Sequence, residues 1–82
     1  MAVAESARMP PDTDAAMRLW RMRRRRDHID ATLARSGVEW ELTYLRNDRA
    51  MLAWRYEEEA EARTEAETRR RDLERAGWIS HW

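Results

Sequence analysis

Three runs of this chain, 29–33, 40–44 and 52–56, fit together when laid side by side as antiparallel strands, and that fit narrows the fold more than any other feature. A two-residue turn at Ser36-Gly37 sets Ile29 opposite Tyr44, Ala31 opposite Leu42 and Leu33 opposite Trp40. A second turn around Asn47-Asp48-Arg49 sets Trp40 opposite Tyr56, Leu42 opposite Trp54 and Tyr44 opposite Leu52. Directly opposed residues share a face, so one side of such a sheet becomes almost wholly apolar, and a one-residue slip would scramble it. Asn47 and Asp48 tolerate positive φ and suit the second turn. The strands predicted are Asp27 to Arg35, Val38 to Arg46 and Met51 to Tyr56, with the middle one central and the last on an edge.

From Glu57 the period changes. Ala62, Ala66, Leu73 and Ala76 form a helical stripe with Arg69 in its middle. Glutamates lead the first turn and arginines crowd the last, which complements the helix dipole. Glu59-Arg63, Glu65-Arg69 and Glu67-Arg71 stand four apart in the favoured order, each worth ~0.2–0.5 kcal/mol. Gly77 suits a left-handed stop, after which Trp78 folds back over Leu73. This helix is expected to cover the aromatic face.

Before the sheet lies an ambiguous stretch. As a helix, Ala15, Leu19, Met22, Ile29 and Leu33 make a stripe that Arg26 breaks. As a strand, Ile29, Ala31 and Leu33 alternate with His28, Asp30 and Thr32. The cross-strand match favours the strand from Asp27 onward and leaves 14–26 as a basic arm or short helix. Residues 1–13 contain Pro10-Pro11 and read as a disordered tail. The fold class expected is therefore α+β: a three-stranded antiparallel β-meander packed by one long C-terminal helix, a single βββα domain over 27–82, with a basic N-terminal arm.

Eighty-two residues make one small domain with a marginal core unless it is rich or a partner helps. Five Trp and two Tyr partly offset the size. There is no Cys, which excludes disulfides and thiolate chemistry. No apolar run is long enough to span a bilayer and the N-terminus lacks a secretory apolar segment, so a cytoplasmic location is expected. All 16 basic residues are Arg, a usage that GC-rich codon bias in a bacterial genome explains, and 16 acidic residues balance them.

The charge is segregated. Arg18, Arg21, Arg23, Arg24, Arg25 and Arg26 form a run without an acid, and arginines grip phosphates through paired N–H groups. Trp20 and Met22 interleave that run and could stack on single-stranded nucleic acid. A solvated arm, or arginine stems laid over the sheet, is the plainer account. The face opposite the aromatics carries Asp30, Glu39 and Glu41, countered by Arg55, and would repel phosphate. It also holds Leu45, Met51, Ala53 and Ala34 toward one end. Either Leu19, Trp20 and Met22 fold over that patch, or a protein partner or second copy covers it. Leu45, Met51, Ala53, Trp20 and Trp82 are the candidate partner contacts.

Catalytic constellations are lacking. Asp27-His28-Ile29-Asp30 offers potential ligands, but only His28 and Asp30 share a strand face, and no metal site is expected. No glycine-rich phosphate loop exists with only Gly37 and Gly77, so no cofactor is implied. A hairpin followed by a helix with Glu65-Ala66 and then Gly77-Trp78 resembles the end of WGR-type domains over less than half the chain, without the Trp-Gly-Arg signature. The strand-strand-strand-helix order resembles the DNA-binding arm domains of integrases in topology alone, and neither likeness transfers a function. The expectation is a non-enzymatic interaction or accessory module, with nucleic-acid binding through Arg18–Arg26 as the alternative.

Overall fold

The computed structural model describes residues 16–80. The proposed tail over 1–13 and the terminal Trp82 lie outside them. The fold is α+β, with strands β1 (Met17–Arg24), β2 (Asp27–Ser36), β3 (Glu39–Arg46) and β4 (Arg49–Tyr56), helix α1 (Glu59–Arg75) and a short β5 (Ile79–Ser80). They make one antiparallel sheet in the order β4-β3-β2-β1-β5, with α1 against one face.

The first correction concerns the basic arm. Residues 17–24 are neither arm nor helix but a full strand paired to β2, with Arg21 opposite Asp30 and Met22 opposite Ile29. Trp20 and Met22 sit two apart and both face α1, whereas Arg21 and Arg23 take the other face. Tertiary burial of two large apolar residues outweighs the helical spacing. The β1–β2 turn carries no glycine; Arg25 takes the left-handed conformation itself, at φ 57°, so the sequence holds no turn signal there. A bulge between Arg18 and Trp20 makes Leu19 the extra residue.

The second correction is to the β2–β3 register. Ala31 lies opposite Tyr44, Leu33 opposite Leu42 and Arg35 opposite Trp40. The loop is Gly37-Val38 rather than Ser36-Gly37, with Gly37 at φ 65°, and Val38 is loop rather than strand. The pairing has moved by two residues, so every side chain of β2 and β3 keeps the face assigned to it. The β3–β4 register stands as expected from Trp40 to Tyr44, with Trp40 opposite Tyr56, Leu42 opposite Trp54 and Tyr44 opposite Leu52, but Arg49 leaves the expected turn to pair with Arg46, and Met51 becomes the extra residue of a bulge. Asn47 and Asp48, at φ 52° and 71°, make its two-residue turn. Asn47 also clamps the start of β2: its backbone N–H donates to the His28 carbonyl at 2.9 Å, and its side-chain Oδ1 accepts from the His28 backbone N–H at 3.0 Å.

The core lies between the sheet and α1: Trp20, Met22, Ile29, Ala31, Leu33, Leu42, Tyr44, Ala62, Ala66 and Trp78. Alanine at 62 and 66 lets the helix backbone approach the rings, and the Trp20 indole N–H donates to the Ala66 carbonyl at 2.9 Å. The helix end follows expectation. The Trp78 N–H donates to the Leu73 carbonyl at 3.0 Å and the Gly77 N–H to Glu74 at 3.1 Å, a Schellman closure around Gly77 at φ 101°. The three i, i+4 pairs also form. Among the described residues no helix is long and apolar enough to cross a membrane.

Candidate interaction surfaces

Three surfaces result. The first is the outer edge of β4. Seven of its eight residues are exposed, and its helix side carries Leu52 and Trp54 at 43% and 50% exposure. Alternation along the strand predicts both under the helix. One helix is ~10–12 Å across and strands are spaced ~4.8 Å apart, so a single helix covers about two strands of five. The helix lies over the middle of the sheet and leaves β4 largely bare. The interior of β4, Ala50 to Trp54, has no charge or proline to block pairing; Arg49 and Arg55 bracket it.

Beside this edge is a cleft of about 210 Å³ lined by Ile29, Tyr44, Met51, Leu52, Arg69 and Leu73. Strict alternation predicts Met51 on the opposite face. The bulge where β4 shifts register against Tyr44 and Leu45 turns it toward α1. The Tyr44 hydroxyl is buried without a hydrogen-bond partner, and burial pushes its pKa up. The Arg69 guanidinium stands 5.7 Å from the Tyr44 ring centroid and walls one side. Of the other partner candidates, Leu45 is half-buried and Ala53 exposed on the face away from α1. Trp20 is 4% exposed and locked to Ala66, so it belongs to the core and not to a partner surface. Of the two alternatives for the open face, its covering by Leu19, Trp20 and Met22 is not what forms: Met22 joins Trp20 in the core and Leu19 packs against that core.

The second surface is the open face, which β1 changes in character. Asp30 is buried there, and Arg21 donates to both of its oxygens at 2.6 and 2.8 Å. Arg18 approaches at 3.8 Å. The hydrogen bond from Arg21 holds the Asp30 carboxyl below its ordinary range, against a smaller opposing effect of burial. The face is therefore not a uniformly acidic surface: arginines of β1 line one side, and Glu39 and Glu41 with Arg55 the other. His28, Asp30 and Asp48 come within 4.8 Å of one another, a grouping the sequence did not suggest because Asp48 arrives from the β3–β4 turn. Arg21 already engages Asp30, and its guanidinium lies within 3.8 Å of Asp48 as well, so this group is an ion-pair network in which arginine supplies the cation.

The third surface is at the β1–β2 hairpin end, where Arg23, Arg24 and Arg25 with Gly77 and Ile79 line an open cleft of about 420 Å³. The six arginines of the basic run thus part company. Arg18 and Arg21 serve Asp30, while the remainder gather at the hairpin.

No family model matches the chain, and neither a curated protein nor a solved structure does. The likenesses to WGR-type and integrase arm domains therefore carry no family assignment.

Proposed function

We propose that the protein is a non-enzymatic, cytoplasmic interaction module that binds protein through β4. The observation that carries this reading is an eight-residue edge strand, uncharged along its interior, with Met51, Leu52 and Trp54 between 43% and 52% exposed. An open sheet edge offers backbone groups for strand addition, and adjacent pockets supply side-chain selectivity. Large exposed apolar residues grouped on one strand mark a binding surface rather than ordinary surface scatter.

A second reading, nucleic-acid binding, is supported by the arginines gathered at the hairpin cleft. Arg24, Arg25 and Arg26 form no ion pair among the described residues, so their charge is available to phosphate.

Light scattering on natively purified protein, at low and high salt and with absorbance read at protein and nucleic-acid wavelengths, separates the two. The interaction reading expects bound polypeptide that survives high salt and is lost in Trp54→Arg. Nucleic acid that co-purifies, falls away with salt, and loses about 2–3 of its log–log salt slope when Arg24, Arg25 and Arg26 become Ala would support the second reading and overturn the first.

A further inference from the structure

We infer that the occupant of β4 is a second copy of this chain, paired antiparallel about a two-fold axis at Ala53 so that each copy's Trp54 enters its partner's cleft. This rests on the interaction reading above and adds the identity and register of the partner.

Symmetry restricts the registers. A two-fold axis normal to a continuous sheet keeps each residue on the same face in both copies, and opposed residues must share a face. The centre must then be a residue opposite its own copy. Centring on Leu52 would set each Trp54 against Ala50, beyond the Met51 bulge and across from no residue that lines the cleft. Centring on Trp54 would set the two indoles against each other and Leu52 against Tyr56, so neither Trp54 would face the Leu52 wall of a cleft. Centring on Ala53 sets Trp54 against Leu52, both on the helix side and both half exposed, and places the bulged Met51 beside Arg55, whose aliphatic stem can lie along it. It also carries Arg49 toward Glu57 and Glu58, which follow Tyr56. None of these three residues forms an ion pair among the described residues, and the match is charge-complementary at both ends.

The shapes agree as well. Leu52 is a wall of the 210 Å³ cleft. In this register Trp54 of the other copy stands directly across from that wall, at the mouth of a cleft whose remaining lining is mainly apolar. The protruding indole and the recess that takes it lie two residues apart on one strand, so a single two-fold operation satisfies both at once. Two small alanines meet at the axis, where nothing bulky holds the strands apart.

Sedimentation velocity on the full chain tests this, with a mass of twice 9.9 kDa expected. Trp54→Arg should weaken association by at least about 30-fold, the scale of a hot-spot truncation, with circular dichroism checking that the fold persists. Ile79→Glu, on the exposed β5 at the far edge, should leave the mass unchanged. Register is read by cross-linking. The chain has no native cysteine, and opposed antiparallel Cα atoms lie about 4.5–5.5 Å apart, within disulfide reach. Ala53→Cys should oxidise to a covalent dimer. Ala50→Cys, displaced ~20 Å from its copy in this register, should not. A wild-type monomer, a folded Trp54→Arg dimer, or a dimer that Ala53→Cys fails to cross-link overturns the inference. If the wild-type is monomeric yet captures a different chain that Trp54→Arg releases, self-pairing falls and the interaction reading stands. A monomer that captures nothing through this strand overturns both.

Discussion

Asp30 shows how one residue's meaning depends on its neighbours. In the sequence it is one of three acids on a face predicted to repel phosphate. In the fold it is the charge that lets an arginine-rich strand join the sheet, because Arg21 neutralises it through two hydrogen bonds. A carboxyl whose folded pKa is lowered contributes stability that is present above its unfolded value, about 3.9, and is lost as pH falls through the folded value. The melting temperature should therefore fall as pH drops below about 4. Asp30→Asn should melt lower at neutral pH and show a flatter acid limb. The limb should not become fully flat, since hydrogen bonds from Asn47 and Arg46 depress Asp27 and one from Arg70 depresses Glu67 in the same direction. Thermal melts of both proteins from neutral to strongly acid buffer check this; parallel curves would refute the assignment.

At the level of elements, the strongest local patterns survived and the weakest did not. Helix α1 has its alanine stripe, its charge pairs and its glycine stop, and all three act locally, within one to five residues. Gly77 can be tested alone. A Cβ there would meet only Arg24 Nε at 3.7 Å, an ordinary contact, but the backbone is at φ 101°. Gly77→Ala should thus cost about 1–2 kcal/mol through backbone strain, lowering Tm by roughly 4–16 °C for a domain of this size, and a scanning calorimeter would read it. β1 is the element whose local pattern does not reveal it. Its turn uses Arg25 in place of glycine, and its bulge at Leu19 breaks the strict alternation that identifies a strand.

Across the whole molecule, coverage decides which surface is available. One helix of 17 residues closes the centre of a five-stranded sheet and leaves β4 exposed with half of Trp54 in solvent. If two copies share that edge, the folded state is linked to association, and Tm should rise with protein concentration by mass action. Melts over a hundredfold dilution series should show that rise in the wild-type chain and lose it in Trp54→Arg. A wild-type midpoint independent of concentration would count against pairing.

What the sequence determined by itself was the face of each residue in β2, in β3 and in β4 beyond the bulge, the β3–β4 register from Trp40 to Tyr44, and the helix with its cap. Those depend on alternation, turn chemistry and short-range spacing, which are properties of neighbouring residues. Even the two-residue error at Gly37 left the faces intact, because the side-chain period is two. Tertiary structure alone decided that the arginine run is a strand, that Trp20 is core, that Met51 turns toward the helix and that Leu52 and Trp54 stay uncovered. Each of these follows from competition for a limited covering area and from pairings between segments distant in the chain. No local pattern records which of several apolar residues a single helix will reach.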